Sequence, residues 1–192
     1  VAGILVALII GIPAGIISAK KQYSVVDNVS MVLSLIGVSM PNFWFGLLVV
    51  IVFALNLGWL PSQGMGEGGV ELLKSLVLPA LTLGTGCAAT ITRMTRSSML
   101  EVIHQDYIDT AKAKGVSERT ITFRHMLKNA LIPIVTAVGL QFGTLLGGAM
   151  LTETVFSWPG LGRLMVDSIK SKDIPMVLGS VVFMAVMFSI VN

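Results

Sequence analysis

The residues best placed to do chemistry with a partner lie in one basic stretch, residues 93–128. Within it, Asp106 is a good N-cap for a first helix, and Gly115 suits the left-handed position that ends such a helix. Ser117 can cap a second helix, and Glu118 then falls in its first turn, where the helix dipole favours an acidic side chain. The spacing therefore predicts a helix, a sharp glycine corner and another helix.

One strip of the first predicted helix has the composition of a contact surface. Tyr107, Ile108, Ala111 and Gly115 recur at the helical spacing that places side chains on a common face. A narrow strip of this kind can enter a groove on another protein. The spacing alone leaves a second interpretation equally open, in which the helix lies on a membrane surface or in solvent.

The other reactive residue types form no catalytic or metal-binding motif. His104 and His125 are each isolated from another ligand at metal-binding spacing, and the chain contains no HExxH. The single cysteine, Cys87, lies in an apolar run and is expected to serve packing. There is no G-x-x-x-x-G-K-[ST] and no G-x-S-x-G. We expect no catalysis, no metal and no cofactor bound by this chain, and an energy source on another polypeptide.

A carboxylate and a turn near residue 155 are further candidates. Glu153 lies at the end of an apolar run, where it could serve a gate or translocation pathway or could simply sit at the membrane interface. Residues 158–162 must turn, because proline removes a donor and the glycines permit positive φ. Glu153, Pro159 and Gly160 are therefore gate candidates, while a structural turn is the leading interpretation.

These residues have to be positioned by elements that are unlike those of a soluble domain. The chain is 54% hydrophobic and 12% charged, with a mean hydropathy of +0.87, against roughly 25% charged residues in soluble domains. Runs long enough to cross a bilayer predict an all-α, polytopic transmembrane helical bundle of five spans. The predicted spans are residues 1–17, 29–57, 76–92, 131–151 and 175–191.

Charge predicts how these spans are oriented. Two of the four loops between them hold nine of the 13 basic residues and are predicted to be cytoplasmic. Those nine are Lys20, Lys21, Arg93, Arg96, Lys112, Lys114, Arg119, Arg124 and Lys128. Arg93 and Arg96 are interpreted as topology anchors. The other two loops carry Trp59 and Trp158 and are predicted to face outward. The basic residues are not interleaved with exposed aromatics, so a lipid bilayer and no nucleic acid is the expected partner.

Asp109, Thr110 and Ala111, followed by Gly115, resemble the cytoplasmic E-A-A-x-x-x-G signature of bacterial ABC-importer permeases, in the form D-T-A-x-x-x-G. The departures from the general signature resemble one branch of that family, the dipeptide, oligopeptide and nickel permeases. The resemblance spans essentially the whole chain. It includes the runs 106–136 and 153–164, SMPNFWFGL from Ser39 and WLPSQG from Trp59.

The resemblance implies a coupling helix in residues 93–128 that docks on a cytoplasmic ATPase. The implied coupling residues are Tyr107, Asp109, Thr110, Ala111, Lys114, Gly115 and Glu118. It also implies one permease domain over residues 1–192, truncated at both ends, with about six spans in the intact subunit. The implied partners are a second homologous permease, two ATP-binding subunits that carry ATP and Mg, and an extracytoplasmic solute-binding protein. The implied location is the bacterial inner membrane.

The function implied is the translocation pathway of an ATP-driven importer for di- and oligopeptides. The same machinery carrying nickel or glutathione remains an alternative. An ion-coupled secondary transporter would need ionisable residues within the spans, and among the predicted spans only the boundary residue Glu153 qualifies. An intramembrane enzyme ranks last, because no catalytic dyad is visible at span depth.

Overall fold

The structure, a computed structural model, describes residues 1–191, with the backbone alone for residues 146–148 and 191. Regular secondary structure in that range is entirely helical, which confirms the all-α prediction for the described part of the chain. The α-helices are α1 (Ala2–Lys20), α2 (Val25–Ser39), α3 (Asn42–Val49), α4 (Gly69–Ile103), α5 (Asp106–Ala113), α6 (Glu118–Thr120), α7 (Lys128–Val155), α8 (Leu161–Lys170) and α9 (Ile174–Val191). Helix α3 continues as a π-helical segment, Val50–Asn56, and α6 continues as another, Ile121–Leu127.

Helix length and composition support several membrane crossings. Among the described residues, α1, α4 and the helical run Glu118–Leu145 are each long and apolar enough to cross a bilayer. Helix α2 together with Asn42–Asn56 makes a fourth crossing if the two count as one interrupted span, and the apolar run Ile174–Ile190 is shorter. A polytopic membrane protein is therefore confirmed, whereas the total of five spans stays a prediction.

The second predicted span, residues 29–57, is wrong as a continuous helix. Helix α2 ends at Ser39, α3 begins at Asn42, and Pro41 between them has φ −60° and ψ 129°. Proline lacks an N–H and disfavours helical geometry in the residue before it, so the helix stops there. The span also begins earlier than predicted, because α2 starts at Val25.

The chain forms two compact units that alternate along the sequence. The first contains residues 1–6, 40–86 and 139–191, and the second contains residues 7–39 and 87–138. The second unit holds nine basic and five acidic residues, and the first holds four and five. The basic loops predicted to be cytoplasmic all belong to the second unit, and the loops predicted to face outward belong to the first. A single domain over residues 1–192 stays a prediction.

Each unit has its own apolar core. In the second unit, Met99 of α4 and Ile108 of α5 are fully buried, with Ile16 and Ala19 of α1 packed in the same cluster. The cluster is completed by Ala111 of α5 and by Ile121, Met126, Ala130 and Ile134 along the helical run from residue 121. The core of the first unit is built on Val49, Leu78 and Phe156. These two clusters position the two groups of candidate residues.

Candidate functional site

The predicted helix, glycine corner and second helix are present in the basic stretch. However, α4 extends into the stretch as far as Ile103, the second helix continues into α7, and the cap of α5 is different. Gln105, with φ −82° and ψ 141°, is the N-cap of α5 and makes no side-chain capping bond. Asp106 is the first helical residue, so its assignment as the N-cap is wrong. Asp106 and Asp109 both lie in the first turn, where the helix dipole favours negative charge. The acidic start of this helix therefore acts through the dipole rather than through a cap.

The glycine corner after α5 is confirmed. Gly115 has φ +73°, and its N–H donates to the Lys112 carbonyl at 2.9 Å. The Val116 N–H donates to the Ala111 carbonyl at 3.2 Å. This pair of bonds is the Schellman arrangement, which satisfies carbonyls at a helix end. No described atom lies within 4 Å of a Cβ built on Gly115, so glycine is favoured by the backbone conformation and not by crowding.

The cap of the second helix is confirmed as well. The Ser117 Oγ accepts from the Thr120 N–H at 3.4 Å, and the two hydroxyls are 2.9 Å apart. Glu118 follows the cap with a side chain that is 73% exposed, and its carboxylate lies 3.9 Å from Lys20 Nζ. An exposed pair of this kind contributes about 1 kcal/mol or less. Local hydrogen bonds, and not this ion pair, therefore define the corner.

Two of the four residues in the strip on α5 face inward, whereas Tyr107 and Gly115 are exposed. Ile108 is 0% exposed and Ala111 7%, and both belong to the cluster that contains Ile16, Met99 and Met126. The interpretation of this strip as a surface free to enter a partner's groove is therefore wrong for Ile108 and Ala111. Apolar and small side chains on one face of a surface helix seat that helix on its own core. The coupling role assigned to Ala111 stays a prediction, but Ala111 is not accessible for direct docking.

The opposite face of α5 is polar and accessible. Asp109 is 71% exposed on its side chain and pairs with Lys112 at 3.2 Å. The exposed Thr110 hydroxyl donates to the Asp106 carbonyl at 3.0 Å. Tyr107 adds an aromatic ring that is 42% exposed, and Lys114 is exposed beside the corner. This face can make hydrogen bonds and ionic contacts with another protein, while the buried face keeps it in place.

A buried ion pair lies in the same unit. The Asp27 side chain is 2% exposed, and its two carboxylate oxygens accept from Arg96 Nε at 2.6 Å and Nη2 at 2.7 Å. The Ser18 hydroxyl and the Tyr23 N–H also donate to this carboxylate, the latter at 2.9 Å. The carboxylate therefore has four donors, which come from α1, the turn after it and α4.

Sequence reasoning missed this pair. The interpretation of Arg96 as a simple topology anchor is incomplete, because its guanidinium also binds Asp27. Asp27 lies inside α2, so Glu153 is not the only carboxylate associated with an apolar helix. One signal was available: Asp27 is the only acidic residue before Glu67, and it stands next to an apolar run. Nothing in the spacing indicated its partner, since Arg96 is 69 positions away.

Glu153 has a structural partner in the first unit. Its carboxylate accepts from the Arg163 N–H at 3.0 Å, in the first turn of α8. The N-cap of α8 is Gly160, which has no side chain to offer. A helix begins with unsatisfied N–H groups and a positive dipole end, so Glu153 supplies the missing cap from α7. The proposed gate role of Glu153 stays a prediction beside this capping role.

The turn over residues 158–162 is confirmed, but the predicted reason for its glycines is wrong. Gly160 has φ −124° and ψ 173°, which is ordinary extended backbone, and the positive φ falls on Ser157 at 50°. Gly160 is instead favoured by proximity, because a Cβ there would displace the carboxyl group of Glu153. Pro159, the residue before Gly160, is exposed. Close approach, and not a left-handed conformation, therefore selects glycine at position 160.

The two loops predicted to face outward contact each other within the first unit. The Gly64 N–H donates to the Phe156 carbonyl at 2.9 Å. Leu60 and Trp158 both pack on the cluster that contains Phe156. The segment from residue 57 to 68 is therefore fixed to the α7–α8 turn, as expected if both loops lie on one side of the membrane.

Residues 11–192 match the family described as the binding-protein-dependent transport system inner membrane component. The chain belongs to this family. It is therefore a multi-pass protein of the bacterial inner membrane and a component of a transport system. The match confirms the family to which the motif Asp109, Thr110, Ala111 and Gly115 pointed.

Several curated relatives of this inner-membrane component family are similar over nearly the whole chain. The dipeptide transport system permease protein DppB of Alkalihalophilus pseudofirmus is 46% identical over 97% of this chain and 63% of its own length. The oligopeptide transport system permease protein AppB of Bacillus subtilis is 44% identical over 98% of this chain and 61% of its own length. The glutathione transport system permease protein GsiC of Escherichia coli is 44% identical over 97% of this chain and 59% of its own length. The chain thus spans about three fifths of the relatives that it matches.

Proposed function

We propose that this chain belongs to the permease subunit of an ATP-driven importer that carries di- and oligopeptides across the inner membrane. The names of the dipeptide and oligopeptide relatives support the cargo. In this proposal, two separate ATP-binding subunits hold ATP and Mg and supply the energy. A second, homologous permease completes the pathway, and an external binding protein delivers the solute.

The observation that carries the proposal is the two-sided seating of α5. Its apolar face, with Ile108 and Ala111, is buried in the cluster of the second unit. Its polar face, with Tyr107, Asp109 and Thr110, is exposed. A helix that transmits movement needs one face held by its own protein and another face available to the motor protein. The 106–120 segment meets both requirements.

The mechanism follows from this seating. When the ATP-binding subunits close on ATP, the helix docked on them is displaced. Because Ile108 belongs to the same packed cluster as Met99 of α4 and Ile16 of α1, a displacement of α5 is passed to the membrane helices as a rigid movement. Alternating access then results from the movement of packed helices rather than from local melting.

Substitution of Gly115 tests this mechanism. In the full-length subunit, assembled with its partners in liposomes, Gly115→Val forces a branched side chain into a conformation with φ +73°. We expect the subunit to insert and ATP hydrolysis to continue, while uptake per ATP falls about tenfold, since left-handed geometry costs about 1–2 kcal/mol. Gly115→Asn should retain most of the uptake, because asparagine tolerates this conformation.

Gly58 offers a matched control. It also has positive φ, +63°, with open space around its Cβ position, but it lies in the first unit. Gly58→Val should therefore carry the same backbone strain and leave the uptake per ATP unchanged. Normal coupled uptake by the Gly115→Val variant would count heavily against the 106–120 segment as the transmission element.

Glutathione is the second candidate cargo, and the relative named for glutathione transport favours it. The decisive measurement is which ligand the cognate external binding protein retains, followed by uptake of labelled dipeptide and labelled glutathione in the same liposomes. We expect dipeptide to be retained and taken up. Retention of glutathione alone would show that the cargo is glutathione and would leave the proposed ATP-driven importer intact. Uptake with no ATP-binding subunit present would overturn the proposal of an ATP-driven importer.

A further inference from the structure

The Asp27 carboxylate joins three parts of the second unit at one point. It receives the Ser18 hydroxyl from α1, the Tyr23 N–H from the turn between α1 and α2, and the Arg96 guanidinium from α4. Both guanidinium bonds are short, at 2.6 and 2.7 Å, and they engage separate oxygens. A bidentate pair of this kind fixes an angle as well as a distance.

Helices α1 and α4 also pack against α5, one helical turn from the Asp27–Arg96 ion pair. Met99 follows Arg96 by three residues on α4 and is fully buried against the cluster that contains Ile108 of α5. Ala19 follows Ser18 on α1 and is 1% exposed in that cluster. The ion pair and the apolar cluster are therefore successive layers between α1 and α4, and the cluster adds α5.

Net stability does not account for the charges in this position. A buried ion pair gains little over a well-packed apolar pair, because both groups lose their hydration. Close apolar packing keeps two helices together, and a bidentate ion pair also fixes their relative orientation, because any shift must break two charged hydrogen bonds. The exposed pair between Lys20 and Glu118, at 3.9 Å, cannot hold the segment in this way.

We propose that Asp27 and Arg96 are positioning residues for energy coupling. Their pair locks the end of α1 and the start of α2 to α4, so that a displacement of α5 moves these helices as one body. Without this pair, part of the displacement is absorbed by movement of the start of α2 against α4. The inference rests on the proposed function, since it assigns the residues that transmit movement from the same segment.

The first test replaces the bidentate guanidinium of Arg96 and keeps its positive charge. Arg96→Lys retains a cation but cannot place two fixed donors on both carboxylate oxygens. In liposomes that contain the full-length subunit and its partners, we expect uptake per ATP hydrolysed to fall about three- to tenfold, as for residues along a coupling route. Arg93→Lys is the matched control, because Arg93 lies one turn earlier on α4 with an exposed side chain, and it should leave that ratio unchanged.

A second variant separates positioning from folding. The double variant Asp27→Asn with Arg96→Gln leaves no unpaired buried charge, so the subunit should insert in normal amounts. Its uptake per ATP should still be low. Inserted Arg96→Lys or double variants with the wild-type ratio would overturn the proposal, since the pair would then serve stability only. Failure of the double variant to accumulate would also overturn it, because the pair would be a requirement for folding.

A readout that does not depend on transport comes from amide hydrogen exchange of the full-length protein in detergent. Arg96→Lys should raise the exchange rate in the turn before α2 and in α5 together, while Arg93→Lys should raise neither. Unchanged exchange in α5 would contradict a shared rigid body. If wild-type liposomes show no ATP-driven uptake, the proposed function fails, and the exchange result still decides whether the pair holds α5.

Discussion

The chain turns sharply at two glycine corners, and each uses glycine for a different physical reason. At the corner after α5, Gly115 has φ +73° and open space around it. At the corner between α7 and α8, Gly160 has ordinary extended geometry and lies against the Glu153 carboxyl group. The first position needs conformational freedom, whereas the second favours the absence of a side chain because a Cβ would displace the Glu153 carboxylate. The same residue type thus reports either a local or a tertiary constraint.

The two corners also differ in where their hydrogen bonds come from. The corner at Gly115 is closed by N–H groups that donate to carbonyls of Ala111 and Lys112, all within five residues. The corner at Gly160 also has local backbone bonds, but the first turn of α8 is capped by Glu153, whose side chain accepts from the Arg163 N–H ten residues later. A self-contained corner tolerates movement of its surroundings, which suits a segment proposed to be displaced by a motor. A corner capped from another helix stays fixed to that helix.

The largest effect in this comparison is expected at Gly162, in the first turn of α8. A Cβ there would lie 2.5 Å from the Met150 Cα, and backbone cannot rotate away as a side chain can. Gly162→Ala should lower the free energy of unfolding by about 3 kcal/mol, at the upper end of the usual cost of overpacking. Unfolding of the purified protein in detergent micelles measures it.

Gly139 in α7 is the control for that substitution. No described atom lies within 4 Å of its Cβ position, so Gly139→Ala should raise stability by about 0.5–1 kcal/mol through the better helix propensity of alanine. Equal effects of the two substitutions would show that α8 does not pack on α7 as closely as the structure places it.

An intermediate effect is expected for Gly160 and Glu153, and it should not be additive. Gly160→Ala displaces the carboxylate, and Glu153→Ala removes it, so each should cost about 1 kcal/mol through loss of the cap on α8. The double variant should cost no more than either single variant, because the added methyl group then meets an empty space. Additive costs in the same unfolding measurement would show that position 160 requires glycine for a reason other than the carboxylate.

The smallest effect is expected for Glu118, at the self-contained corner. Glu118→Gln removes an exposed ion pair with Lys20 at 3.9 Å and should change stability by less than about 0.5 kcal/mol. Raising the salt concentration should leave the unfolding midpoint of wild-type protein equally unmoved. A loss that matches Gly160→Ala would mean that the ion pair, and not the local hydrogen bonds, holds this corner.

Much of the fold near the 106–120 segment was predictable because its determinants are local. Gly115 and Ser117 act on backbone groups within a few residues, so their types and spacing were sufficient. Asp106 was misassigned by one position, because either Gln105 or Asp106 can start a helix and the distinction depends on backbone conformation. The break falls at Pro41, a residue type that interrupts or begins apolar helices, whereas the continuous hydrophobicity of residues 29–57 indicates burial in lipid but not helix continuity.

The candidate residues likewise divide into those whose environment the local sequence predicts and those whose environment depends on tertiary contacts. The face of α5 that carries Asp109 and Thr110 is accessible, whereas Ala111 turned out to be buried by helices that come from distant parts of the chain. Arg96 looked like Arg93 in the sequence, since both follow an apolar run. Only the position of Asp27 in the folded unit separates a committed guanidinium from an exposed one.

The sequence by itself determined the membrane environment, the helical class, the family and the glycine corner at residue 115, because hydropathy, helix capping and left-handed geometry act over short distances. The tertiary structure alone decided which face of α5 is covered, that Asp27 binds Arg96, and that Glu153 caps α8. The first two depend on the approach of helices that are far apart along the chain, and the third depends on how the consecutive helices α7 and α8 pack at their turn. Contacts of that kind are set by packing, for which residue spacing carries no signal.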